Sequence, residues 1–234
     1  MLLNILKIMV NEIKKIIIQF FPPILVNFLR KLRRKEKKIT NSSVQSLDIY
    51  YSEKMAKILE TWGERNAWIE IQHLLLKKEG KILDIACGTG KVIEILNKNK
   101  ITNVYGCDIS DFLIEKAKKR GIVDEKLKVC DATNLPYDEN FFDYSYSIGS
   151  LEHFTESQIE MFLKSCKKVT KKISYHQIPM SRSNKDEGWI SPLQSYHNNS
   201  EKWWFDKCKK VYDKVIILDS SWEDKRSVGK WLIL

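Results

Sequence analysis

From Leu47 onward the apolar residues switch repeatedly between two spacings, and each switch marks an element. Runs rich in β-branched and aromatic residues predict strands at Lys81–Ala86, Asn103–Cys107, Lys126–Cys130, Phe142–Ile148, Lys172–Ile178, Lys214–Asp219 and Gly229–Leu234. Apolar residues at helical spacing predict helices over Gly90–Asn99, Ser110–Arg120, Thr155–Val169 and Ser200–Lys210. Two more helices are predicted ahead of the first strand, in LDIYYSEKMAKILETWG and ERNAWIEIQHLLLKKEG. They end near Gly63 and Gly80, glycines suited to the residue just past a helix. Pro179–Asn199 predicts no regular element. Strands alternating with helices in this way predict an α/β fold, a mostly parallel sheet covered on both faces.

The first 38 residues read differently. Asn4, Lys7, Asn11, Lys14 and Lys15 put a polar stripe on an otherwise apolar helix. Pro22 and Pro23 interrupt it, and a second apolar run ends in the basic cluster RKLRRKEKK. The longest uncharged stretch, Ile16 to Leu29, is 14 residues, short of the ~20 that span a bilayer. No small-residue cleavage site follows it. Three readings stand: an amphipathic helix lying on an anionic membrane face, a helical hairpin packed on the domain or on a second subunit, or a solvated leader. The polar run Lys38–Ser46 reads as a linker, which divides the chain into residues 1–46 and a domain over 47–234.

Charge changes the picture only once it is located. The formal net charge is +10. Residues 1–38 hold ten Lys and Arg against two acids, a net of +8, so only +2 remains for the other residues. A nucleic-acid groove across the main domain is therefore disfavoured. The five cysteines are widely spaced and form no CxxC pair, which predicts neither a metal site nor a disulfide framework and fits a reducing cytoplasm.

The candidate chemistry begins at KILDIACGTGK, Lys81–Lys91, a strand running into a glycine turn. A triphosphate loop would need GxxxxGK[ST], and no Ser or Thr follows Lys91. A dinucleotide loop would place Ala86 and Lys91 where glycines belong, a poor fit. Asp84 lies inside the first strand, Asp108 closes the second and Asp131 closes the third. In a parallel sheet those ends open on one edge, the ligand edge.

LDIACGTGK, YGCDIS and CDATNLPYDENFFDYSYSIGSLEHF, in that order, resemble class I S-adenosylmethionine-dependent methyltransferases, over about Leu47 to Leu234. Ala86 stands where many members have glycine. The resemblance implies a Rossmann-like, seven-stranded, mostly parallel sheet with helices on both faces, preceded by N-terminal helices. The closing WEDKRSVGKWLIL would supply its antiparallel seventh strand. It also implies S-adenosylmethionine as cofactor. Asp84 and the backbone of Ala86, Cys87, Gly88 and Gly90 would hold the methionine part. Asp108 would take the ribose hydroxyls and Ile109 would flank the adenine. Asp131 and Ala132 would meet the adenine edge, and Ser147 and Ile148 would face the sulfonium side. Tyr51 and Arg65 are candidates for the cofactor carboxylate.

Methyl transfer to a hydroxyl needs a group to take the proton. His153, in SLEHF, is the candidate base, with packing or capping as the equal alternative; Glu152 is the candidate to orient a neighbour. The segment His176–Asn199 is longer than a plain connection and predicts part of an acceptor pocket. Arg182 and Lys185 would meet an anion, Trp189 and Tyr196 would stack on a ring, and His176 and His197 are alternative bases. Tyr50 is a further substrate candidate. No metal is implied. SIGS, Ser147–Ser150, replaces the NPPY-type tetrapeptide of nucleobase and amide N-methylating enzymes, which favours O-methylation of a small molecule. The leader resembles those of bacterial surface-polysaccharide methyltransferases, which would make the acceptor a sugar, nucleotide-linked or phosphate-type precursor. Two other classes stay open: a membrane-attached scaffold that keeps the fold, and a nicotinamide-dependent dehydrogenase.

Overall fold

The computed structural model describes residues 46–191 and 194–234. The expectations for residues 1–45, the amphipathic leader and its linker, lie outside the described residues. In chain order the helices are α1 (Glu53–Leu59), α2 (Ala67–Leu74), α3 (Lys91–Lys98), α4 (Asp111–Lys118), α5 (Glu156–Val169) and α6 (Glu201–Lys209). The strands are β1 (Ile82–Ile85), β2 (Val104–Asp108), β3 (Leu127–Val129), β4 (Phe142–Ile148), β5 (Thr170–Ser181), β6 (Trp189–Ile190), β7 (Tyr196–His197), β8 (Ile216–Glu223) and β9 (Ser227–Ile233).

Seven strands form one sheet in the order β3-β2-β1-β4-β5-β9-β8. The pairs among β1 to β5 are parallel, and β9 runs antiparallel to both β5 and β8. The order reverses between β1 and β4, the switch point at which open α/β sheets bind ligands. All four residues of β1 are buried, as expected of a central strand covered on both faces. Leu83 and Ile85 pack with Phe162, Leu163, Cys166 and Trp204 under α5 and α6. Ile82 packs with Trp68, Ile71, Ile93, Leu96 and Ile114 under α2, α3 and α4. Two apolar layers, one per face, hold the sheet so that its strand ends form a fixed rim.

Helix starts follow side-chain chemistry. Ser110 and Ser200 accept the N–H groups of Leu113 and Trp203, and Thr155 with Gln158 forms a capping box. The predicted helix over Leu47–Gly63 is instead a 3-10 turn, Leu47–Tyr51, followed by α1, because Ser52 caps a new start by accepting the Met55 N–H at 3.2 Å. The helix expected to run to Gly80 ends at Leu74, so both glycines lie beyond the helices rather than capping them. The stretch predicted as irregular contains the β6-β7 hairpin.

Candidate active site

The turn after β1 holds three left-handed residues in five: Ala86 at φ 59°, Gly88 at φ 55° and Gly90 at φ 71°. Ala86 adopts this backbone at a cost of about 1 kcal/mol. The turn is clamped from β2. Asp108 Oδ2 accepts the Gly88 N–H at 2.9 Å and Oδ1 accepts the Ser110 N–H at 2.9 Å. Burial pushes the Asp108 carboxyl above the usual range, and these backbone donors pull it back in part.

Beside the clamp lies a cleft of about 200 Å³. Ala86, Gly88, Asp108, Ile109, Asp131 and Ala132 line it, brought together from the ends of β1, β2 and β3. Asp131 is exposed and its Oδ1 accepts the Thr133 N–H at 2.8 Å. Tyr50 closes the mouth, its hydroxyl accepting the Gln194 amide N–H at 3.0 Å. Cys107, Cys130, Leu113, Phe154 and Gln158 also face the cleft. The sequence reading missed them, because each stands on or just beyond an element that looks purely structural.

The other residues expected at the cofactor sit elsewhere. Asp84 is buried beneath the turn, where Oδ2 accepts the Tyr146 hydroxyl at 2.8 Å; burial holds its carboxyl well above the usual range. Cys87 is buried with the α2–α4 layer. Gly90 serves helix packing, since a Cβ there would stand 2.9 Å from the Ala117 Cβ. Ser147 is buried and paired with His176 Nδ1 at 2.9 Å, while its neighbour Ile148 faces the cleft. Tyr51 and Arg65 are exposed and line neither cavity.

A second cavity, of about 220 Å³, adjoins the first and shares Leu59, Gly149, His153 and Gln194 with it. His153 stands on a 3-10 turn after β4. Its Nδ1 lies 2.7 Å from the Ser195 carbonyl, which can only accept, so Nδ1 carries the proton and Nε2 of the neutral ring is an acceptor. Burial lowers its pKa below the ordinary value, partly offset by the Ser195 and Gly149 carbonyls. Glu152 is 4% exposed. Burial pushes its carboxyl up to about 8, so it is protonated at neutral pH. Its Oε1 is 3.8 Å from His153 Nε2, too far for a hydrogen bond.

Of the acceptor residues expected on the long segment, Tyr196 lines this cavity and the others do not. His176 is fully buried against Phe162 at the centre of β5, with its pKa pulled down to about 3, so it is no accessible base. Arg182 does not line the cavity and donates to Glu223 Oε2 and to the Asp224 carbonyl, and Lys185 is exposed. The Trp189 and Trp203 rings enclose His197. The hairpin and α6 pack these rings against one another instead of offering them to a ligand. Trp62, Gln177, Pro179 and Trp222 take the places on the cavity wall. Among the described residues no cluster of three His, Cys, Asp or Glu could hold a metal ion.

Comparison with known proteins agrees with this geometry. Residues 82–172 match the family model described as a methyltransferase domain. The chain is 33% identical over 125 residues to the probable tRNA methyltransferase 9B of Homo sapiens, covering 53% of this chain and 24% of that protein. It is 35% identical over 133 residues to a ubiquinone/menaquinone biosynthesis C-methyltransferase of Campylobacter jejuni, covering 50% and 54%. The chain thus spans between about a quarter and about half the length of these curated relatives. An S-adenosylmethionine-dependent methyltransferase structure from Thermotoga maritima superposes with a TM-score of 0.56 at 19% identity, covering 80% of this chain and 98% of that one. A Pyrococcus horikoshii protein gives 0.54 at 19%, covering 85% and 97%. The fold is the Rossmann-like methyltransferase fold, and the match to a methyltransferase-domain model over residues 82–172 supports a methyltransferase. S-adenosylmethionine is the cofactor that this family and fold imply. The cleft fits it: a left-handed turn brings bare backbone to the rim, a carboxylate waits at the end of β2, and Ile109 and Ala132 offer an apolar slot.

Proposed function

We propose that the protein transfers a methyl group from S-adenosylmethionine to a hydroxyl of a small molecule held in the second cavity. Bound in the cleft, the cofactor supplies a methyl carbon already activated by its sulfonium. Asp108, Ile109 and Ala132 hold its adenosine end, and the Ala86–Gly88 turn its amino-acid end. His153 carries the reading, because it lies on the walls of both cavities with Nε2 as an acceptor. A hydroxyl presented there can give its proton to Nε2 as oxygen attacks. The Ser195 carbonyl fixes the ring's tautomer and angle. Glu152, neutral at pH 7, adds no charge repelling the nascent alkoxide.

A sugar-type precursor of a bacterial surface polysaccharide is the acceptor class carried by this reading. A transfer RNA acceptor is the competing one, favoured by identity to proteins named tRNA methyltransferases. The near-neutral charge of the chain beyond residue 38 supports the small molecule, since RNA binding rests on neutralising phosphates. Calorimetric titration with S-adenosylmethionine, S-adenosylhomocysteine and NAD tests the base of the proposal. Micromolar binding of the first two alone is expected; binding of NAD alone would point to a dehydrogenase.

A further inference from the structure

The second cavity has a wall chemistry of its own. Gln177 stands on β5 and is 1% exposed, yet neither its Oε1 nor its Nε2 has a hydrogen-bond partner. A buried amide with both ends unpaired costs stability unless a ligand meets it. The fold makes room for it: a Cβ on the facing Gly229 of β9 would lie 2.9 Å from Gln177 Nε2. Glu152 adds a third unpartnered polar atom, Oε2, from the same wall. Two indoles complete the cavity. Trp62 lies over Gly149, where a Cβ would come 2.6 Å from its ring, and Trp222 comes from the end of β8. Among the described residues that line the cavity none is Lys or Arg, and with Glu152 protonated the one charged group is Asp224.

An anionic acceptor would find no Lys or Arg on this wall and would face the Asp224 carboxylate, so burying a phosphate or carboxylate would be costly. An uncharged ring with apolar C–H faces and a rim of hydroxyls suits the same wall. Its faces pack on indole, and each hydroxyl both donates and accepts, which satisfies the two ends of one amide. The cavity, of about 220 Å³, gives such a ring the buried amide on one side and indole on the other.

We infer that the acceptor site binds a single neutral sugar ring, held by the Gln177 amide and stacked on Trp62 and Trp222, and that it excludes sugar phosphates, nucleotide-linked sugars and uronic acids. The inference rests on the reading of the adjoining cleft as the S-adenosylmethionine site.

The test uses the full chain loaded with S-adenosylhomocysteine. Saturation-transfer NMR and calorimetry are run with methyl glycosides of neutral hexoses and 6-deoxyhexoses, and with the matching uronic acids and hexose 1-phosphates. At least one neutral glycoside should bind, tenfold or more tighter than its anionic partners. Gln177→Met, which keeps the side-chain volume, should weaken that binding at least tenfold and leave S-adenosylhomocysteine affinity unchanged. Trp62→Ala, at a half-exposed residue, should weaken it independently. Equal or tighter binding of the anionic sugars would overturn the inference. So would undiminished sugar binding by both variants, or binding of S-adenosylhomocysteine with no neutral glycoside bound. Failure of S-adenosylhomocysteine itself to bind would overturn the methyl-transfer reading and this assignment with it.

Discussion

Asp108 and Gly88 are joined across twenty residues of sequence, the carboxylate on one strand accepting the N–H of the turn after its neighbour at 2.9 Å. One carboxylate therefore both shapes the glycine turn and lines the cleft beside it. Under the proposed ribose role, Asp108→Ala should remove a charged partner of the cofactor, and it should release the turn. Calorimetry should show a loss of about 2 kcal/mol in S-adenosylmethionine affinity, and thermal denaturation a lower Tm. Asp108→Asn keeps one acceptor oxygen and should fall between. Wild-type affinity in Asp108→Ala would remove the ribose role.

His153 can be examined without an acceptor. Nitrogen-15 NMR of the imidazole should show the Nδ1-protonated tautomer, and the ring should titrate below 6.5, its ordinary value, because burial disfavours the cation. With an acceptor in hand, turnover should fall on the acid side as Nε2 takes a proton, with a midpoint below pH 6.5. His153→Ala should lower turnover by roughly 10²–10⁴ and leave cofactor affinity within twofold. An Nε2-protonated tautomer in the free protein would exclude the base role.

Glu152 predicts a stability profile. Its carboxyl titrates at about 8 in the fold against an ordinary 4.5, so the native state retains a proton that the unfolded chain loses in this window. Stability should fall as pH rises from about 4.5 through about 8. Glu152→Gln should lack that fall, and at pH 9 should exceed the wild type by on the order of a few kcal/mol. Denaturant melts from pH 5 to 9 measure it; parallel profiles would mean that Glu152 is ionised in the fold.

Two glycines with like backbones should respond differently to alanine. Gly90 and Gly121 have φ of 71° and 82°. A Cβ at 121 meets nothing within 4 Å, whereas one at 90 meets Ile122 and Ala117. Gly121→Ala should cost the backbone strain alone, about 1–2 kcal/mol. Gly90→Ala should cost at least 1 kcal/mol more, because α4 must move away. Equal Tm values would refute the packing role given to Gly90.

The sheet was legible because its signals are local and redundant. β1 reads as buried on both faces, and each of Ser110, Thr155 and Ser200 marks a helix start by its own chemistry. α1 was not, because Leu47–Tyr51 carries the same apolar spacing as the helix that Ser52 begins. Asp108 and Asp131 could be placed from sequence since strand ends in a parallel sheet share an edge. The wall of the second cavity could not. His176 and Gln177 are neighbours on a strand, so one faces the core and the other the cavity. Which does which depends on the register of β5 against β4 and β9. Trp62 likewise became a wall only through Gly149, far along the chain.

The hydrogen bond between Gln194 and the Tyr50 hydroxyl ties the segment before β1 to the β6–β7 connection over the cleft mouth. Gln194 also borders the second cavity, so this tie belongs to both cavities. A neutral bond of this kind contributes about 1 kcal/mol, little enough to break in every cycle. Entry and exit would then follow a sequence: cofactor first, acceptor second, with the spent cofactor leaving only after the methylated product frees the 194 side. Steady-state kinetics of that kind would be compulsory-ordered, with S-adenosylhomocysteine competitive against S-adenosylmethionine and noncompetitive against the acceptor.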